Sequence, residues 1–235
     1  MQADLDAIDW YHDIDFPSGL RAVSRLPDID GRRRLWGWLD HELDAKVEFE
    51  SKTVLDVGCW DGRFSFFAES RGAASVLAVD DLSQRWGTGR GLEIARKELE
   101  SSIDVRLDQS IYELGTLQRT FDIILCLGVY YHLDDPMAGF RGLRSCCHEG
   151  TRVVIEGDVL LRPSRGLALL GSGEREDWAF IPTRAALRKM LEAGGLDIKE
   201  ESLYERFPAA NLVKRLLPGR PRGRILLVCS PRQGT

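Results

Sequence analysis

The chain has 235 residues, 43% apolar and 29% charged, with a formal net charge of −5. That length supports one large domain with a sizeable core, and the composition is ordinary for a globular protein. The acidic balance argues against a broad nucleic-acid footprint, which usually shows as a basic excess. The five cysteines, Cys59, Cys126, Cys146, Cys147 and Cys229, are odd in number and form no CxxC pair. Neither a disulfide framework nor a zinc site is expected, and a reduced cytoplasmic protein is. The acidic start MQADLDAIDWYHDID lacks the apolar run of a signal peptide, and no apolar run approaches membrane-spanning length.

Residues 1–29 read as irregular, punctuated by Pro17, Gly19 and Pro27. Residues 30–48 read as a helix with Leu35, Leu39, Leu43 and Val47 on one stripe. An alternation follows: strand 53–57, helix 62–72, strand 75–80, helix 91–102, strand 104–110 and strand 121–129. Asp135 and Pro136 give a helix start, an N-cap with Pro at the first helical position, and that helix runs to about Cys147. A strand over 151–160 comes next, and residues 159–181 read as an inserted loop. Thr183 caps a helix over 184–193, and strands at 196–206 and 224–231 end the chain. The basic link VKRLLPGRPRGR between them reads as a solvated loop. Strand and helix in alternation argue for a parallel sheet covered on both faces. The organisation expected is an N-terminal extension over 1–50 and a main domain over 51–235.

Ligands of an open α/β sheet bind beyond the C-terminal ends of its strands. The first such turn here is TVLDVGCWDG, residues 53–62. It fails the G-x-G-x-x-G spacing of a dinucleotide site, which argues against a nicotinamide-dependent oxidoreductase. Asp56 before Gly58 suits a ligand carrying an ammonium group rather than a pyrophosphate. S-adenosylmethionine is such a ligand: its amino group needs acceptors and its carboxylate takes backbone N–H groups. Asp80 ends the second strand roughly 20 residues further on, the distance of a ribose-binding acid, and Asp81 is a second candidate.

Together with WYHDIDFPSG (10–19), SIYEL (110–114), FDIILCLGVYYHLDDP (121–136) and VVIEGD (153–158), this turn resembles the class I S-adenosylmethionine-dependent methyltransferases. Within them the chain is most similar to the tRNA 5-methoxyuridine/5-oxyacetyluridine-type subfamily, over roughly residues 10–195. The resemblance implies a Rossmann-like, doubly wound, mostly parallel seven-stranded sheet with an N-terminal helical extension. It implies that Gly58 and Gly62 let the backbone approach the methionine part, that Asp80 holds the ribose, and that Ser110 and Ile111 stand where adenine is read. Many members have Asp at the position of Ser110, which weakens that contact here. Leu127 and Gly128 match the strand end near the sulfonium. Trp60 stands where a third Gly is common; it closes one side of the cofactor pocket or packs on the following helix.

Methyl transfer needs the nucleophile, methyl and sulfur held in line, and an alcohol nucleophile gains from a general base. His132, Tyr131 and Glu156 are the catalytic candidates, with Asp158 nearby. His132 is either the base or a loop-shaping residue; Tyr131 lines the pocket or bonds a cofactor carboxyl; Glu156 acts in the site or pairs with an Arg. Trp10, Tyr11 and His12 are candidate substrate-binding residues, in a lid that the resemblance suggests or in a docked apolar anchor. No residue cluster suggests a metal. The expected reaction is O-methylation of a small-molecule hydroxyl on a sugar, glycolipid or natural product. The resembling tRNA enzymes carry a longer N-terminal region than the residues before Thr53, and the net charge is acidic. The basic stretch from Lys214 to Arg224 keeps a tRNA wobble uridine open as acceptor. A carboxylated cofactor, which needs a cation facing its carboxylate, and a catalytically silent binding protein also stay open.

Overall fold

The computed structural model describes residues 5–84, 88–161, 166–171, 179–204 and 222–233. The chain opens with a small antiparallel hairpin, β1 (Ile14–Asp15) and β2 (Arg21–Ala22), and helix α1 (Ile29–Lys46). Strand β3 (Thr53–Val57), α2 (Arg63–Ser70), β4 (Ser75–Val79), α3 (Arg90–Glu98), β5 (Asp104–Arg106) and β6 (Phe121–Leu127) follow. Helix α4 (Pro136–Ser145), β7 (Cys147–Leu160), β8 (Ala168–Leu170), β9 (Phe180–Pro182), α5 (Arg184–Ala193), β10 (Leu196–Tyr204) and β11 (Arg222–Pro231) complete it.

Seven strands form one sheet in the order β10-β11-β7-β6-β3-β4-β5. Every pairing from β7 through β5 is parallel; β11 runs antiparallel to both β10 and β7. The chain leaves central β3 for β4 on one side and later returns to β6 on the other. This reversal opens a crevice at the C-terminal ends of β3 and β6. The doubly wound sheet read from the sequence is the sheet present.

Both faces of the sheet are buried, so side chains split by alternation. Leu55, Val57 and Ile124 belong to one core with Phe121, Phe140, Leu187 and Leu227. Val54, Ile123 and Leu125 belong to the other with Leu39, Leu43, Phe64, Phe67 and Leu92. Helix α1 buries Trp36, Leu39 and Leu43 and turns Asp40 and Asp44 to Arg63 and Arg71 of the α2 segment. Asp135 caps α4 by accepting from Ala138 N at 2.9 Å, with Pro136 in its first turn, and Thr183 caps α5 through Ala186 N.

Five expectations are corrected. The third strand ends at Arg106 rather than 110, because Ser110 caps a 3-10 segment over Ile111–Leu117. The fourth main helix stops at Ser145, and β7 begins at Cys147, opposite Phe121. Residues 1–29 contain the β1–β2 hairpin, and the loop expected at 159–181 contains the β8–β9 ribbon. Of the basic link, residues 205–221 lie outside the described residues. Arg222 lies in β11 rather than a solvated loop, and Arg224, where the last strand was expected to start, is largely buried.

Candidate functional site

The turn after β3 is held in an unusual backbone shape. Gly58 (φ 74), Trp60 (φ 51) and Gly62 (φ 82) all lie in the left-handed region. A Cβ on Gly58 would stand 2.5 Å from Val129 Cγ2, and one on Gly62 would collide with Leu92 and Phe66. Glycine is therefore required at both places by conformation and by space. Gly58 N and Cys59 N donate to Val79 O at 2.9 and 3.1 Å, tying the turn to the end of β4.

Asp80 completes that tie. Its Oδ2 accepts from Trp60 N and its Oδ1 from Asp81 N, each at 2.8 Å. Burial raises its pKa, and the two N–H bonds oppose the rise. Each carboxylate oxygen keeps a further lone pair for a hydroxyl donor. Beyond it opens a cleft of about 630 Å³, lined by Asp81, Leu82, Ser83, Leu107, Asp108, Ser110, Tyr112 and Glu113. Leucines between polar groups fit the flat face and polar edge of a nucleoside base, and the volume is in the usual range of a ligand site. Ser110 Oγ already accepts from Tyr112 N at 3.4 Å. Ile111 points into the core, with α4 packed so closely that a Cβ on Gly142 would strike the Ile111 carbonyl.

Asp56 lies beneath the turn. Its carboxylate is buried, accepts from Ser65 Oγ at 2.6 Å and also takes the Ser65 N–H, so it caps the first turn of α2 from below. Burial first, and then the neighbouring Asp80 and Asp61, push its pKa up to about 7.

On the far side of the crevice, Gly128 (φ 78) follows β6 and donates to Glu156 O at 3.0 Å. Leu127, the last residue of β6, is half-buried beside it. Glu156 is buried, and its carboxylate is taken by Arg224: Nε to Oε1 at 2.6 Å and Nη2 to Oε2 at 2.7 Å. Burial raises the Glu156 pKa and the guanidinium opposes the rise. This is the Arg pairing foreseen as its alternative role. Arg224 Nη1 donates to Tyr131 Oη at 3.0 Å and lies 3.5 Å from Asp158 Oδ1. Burial pushes the Tyr131 phenol well above its ordinary value. His132 closes the same 3-10 turn, its ring 4.3 Å from that of Tyr131.

The N-terminal segment reaches this crevice through Asp61. Trp10 is buried, its indole N–H bonded to Leu5 O, and is an anchor. His12 is buried against Trp36 and Phe64. Tyr11 stays half-exposed, 5.4 Å from Trp60 between ring centres, and its hydroxyl accepts from Arg32 Nη1 at 3.1 Å. Two further residues of the crevice carry no signal in the sequence: Arg224 lies in a basic run, and Asp61 stands between Trp60 and Gly62 in the turn.

The crevice thus joins glycine turns, a strand-end acid and a base-sized cleft, the form of a nucleoside-cofactor site on a doubly wound sheet. The family model described as "Methyltransferase domain" matches residues 30–201, and the chain belongs to that family, the class I S-adenosylmethionine-dependent methyltransferases. A tRNA U34 carboxymethyltransferase of Pseudomonas aeruginosa is 29% identical over 167 residues, covering 68% of this chain and 49% of the relative. The chain therefore spans about half the length of the curated relatives it matches. Among solved structures, a magnesium protoporphyrin IX methyltransferase from Synechocystis PCC 6803 superposes with a TM-score of 0.61 at 18% identity, covering 89% of this chain and 90% of that one. The 1,6-didemethyltoxoflavin-N1-methyltransferase of Burkholderia thailandensis gives 0.60 at 16% identity, covering 88% and 80%. No described helix is long and apolar enough to cross a membrane.

Proposed function

We propose that this chain methylates a hydroxyl of a small acceptor, such as a sugar, a glycolipid headgroup or a natural product. The observation that carries the reading is the charge along the mouth of the crevice. Asp81, Asp108 and Glu113 line the cleft, and the exposed Asp134 and Asp135 follow His132. A wall of carboxylates suits a cationic cofactor and a neutral polyol and repels a phosphate backbone. When bound, S-adenosylmethionine supplies the methyl group on a good leaving group. The chain's own residues do the rest. Asp80 and Asp81 hold the ribose end, Ser110 borders the base, and Gly58, Trp60, Gly62, Leu127 and Gly128 shape the path between the strand ends. Tyr131, fixed by Arg224, orients the acceptor, and His132 takes the hydroxyl proton as the C–O bond forms.

A second reading is transfer to a tRNA wobble uridine. It is favoured by the name of the curated relatives and by the exposed arginines 21, 25, 33 and 34 near the N-terminal segment. A carboxylated cofactor would call on Arg224, but Glu156 and Asp158 already face that guanidinium, which favours the plain cofactor.

Calorimetric titration with S-adenosylhomocysteine, with NAD as control, comes first. We expect saturable binding of the former alone and a loss of at least about tenfold in affinity for Asp80→Ala, about 1.4 kcal/mol. Unchanged affinity in that variant would remove Asp80 from the site. Release of S-adenosylhomocysteine is then followed with hydroxylated small molecules and with bulk tRNA in parallel. His132→Ala should lower turnover more than cofactor affinity, and full turnover would make His132 structural.

A further inference from the structure

Asp61 belongs to the cofactor turn, yet its carboxylate serves another part of the chain. Oδ2 accepts from Tyr11 N at 3.1 Å and His12 N at 2.7 Å, while Oδ1 meets His12 Nδ1 at 2.6 Å. Both side chains are buried, at 4% and 8% exposure, so these bonds are shielded from water and from salt. Three hydrogen bonds to one buried carboxylate, two from consecutive backbone amides, make a specific clamp rather than a chance contact. The His12 ring is seated between Trp36 and Phe64, which fixes its plane.

We propose that Asp61 and His12 are positioning residues for cofactor binding: they fasten residues 10–13 to the glycine turn and hold that turn ready for its ligand. Three of the five residues from Gly58 to Gly62 have positive φ, and for Trp60 this is a conformation that side chains other than glycine rarely adopt. Such a backbone persists only when its surroundings over-determine it. Asp80 grips the turn at Trp60 N from the sheet, and Asp61 ties the next residue to the N-terminal segment. A turn held from both sides needs no ordering on binding, and preorganisation of this kind appears directly as affinity. The same clamp sets the Tyr11 ring against Trp60, so the wall beside the cofactor turn is fixed with it. The inference rests on the cofactor assignment and is independent of which acceptor is used.

The test is S-adenosylhomocysteine binding by calorimetry to the unaltered chain, Asp61→Ala, Asp61→Asn and His12→Phe, each checked for folding by circular dichroism. Asp61→Asn can keep all three bonds, with the amide oxygen accepting from the backbone and its NH2 donating to the other His12 tautomer. We expect a loss of at least tenfold for Asp61→Ala, a smaller loss for His12→Phe and affinity within threefold of the parent for Asp61→Asn. Folded Asp61→Ala with parental affinity would overturn the proposal. If that variant fails to fold, hydrogen exchange on the unaltered chain decides: S-adenosylhomocysteine should slow exchange at Tyr11 and His12 together with residues 58–62. Protection of the turn alone would overturn the clamp's role. Failure of the unaltered chain to bind would instead bring down the cofactor site, and the clamp's role with it.

Discussion

Asp56 shows how a single residue is read in two ways. Before a glycine turn, an acid reads as a partner for the cofactor's ammonium group. In the fold it is a buried cap on α2, bonded to Ser65. Its pKa of about 7, against an ordinary value of 3.8, has a consequence for stability. The unfolded chain gives up this proton near pH 4, whereas the folded one keeps it to about pH 7. Stability is therefore lost as pH rises between those values and levels off above them, by an amount on the order of 4 kcal/mol. Asp56→Asn keeps an oxygen to accept from Ser65 and carries no charge. We expect thermal melts of the ligand-free protein to show the Asp56→Asn variant melting higher than the parent at pH 8 and level with it at pH 4. A gain of equal size at both pH values would mean that Asp56 is not held neutral. Glu156 contrasts with it: burial raises its pKa too, but a bidentate Arg224 faces it and opposes the rise.

At the scale of elements, the site depends on how closely α4 approaches the segment after β5. Gly142 of α4 sits so near that a Cβ there would strike the carbonyl of Ile111, a backbone atom that cannot rotate away. Gly142→Ala should destabilise the fold by about 2 kcal/mol, the usual scale of overpacking. It should also weaken S-adenosylhomocysteine binding, because Ser110 and Tyr112 flank Ile111 and line the cleft. A denaturant melt and a titration read the two effects; a destabilised variant with parental affinity would show that the cleft's lining moves independently of α4. The elements were legible where local signals act alone. Alternating and continuous apolar runs marked β3, β4 and β6, and Asp135 and Thr183 marked the starts of α4 and α5. Gly58, Gly62 and Asp80 were legible because backbone shape and chain distance demand them. Arg224 and Asp61 were not, because their meaning lies in partners 68 and 49 residues away. Periodicity carries no record of such pairings. The early end of β5 was missed for a related reason: Ser110 in a strand-like run competes for the backbone as a cap.

For the whole molecule, the arrangement of charge separates the two acceptor readings. The cleft side of the crevice is acidic, while exposed arginines 21, 25, 33 and 34 gather on the N-terminal side. Of these, Arg21 and Arg33 are paired with Asp13, which reduces the positive field that a polyanion would meet. Arg224 is paired as well, with Glu156. A protein that binds RNA through 6–10 phosphate contacts loses about 10³–10⁵ in affinity between roughly 50 and 200 mM salt, because each contact releases counterions. A small neutral acceptor releases none. The small-acceptor reading therefore expects kcat/KM to stay within about threefold across that range, and bulk tRNA to neither stimulate nor inhibit turnover at the low end. Stimulation by tRNA that collapses with salt would reverse the choice and make the arginine face the acceptor surface.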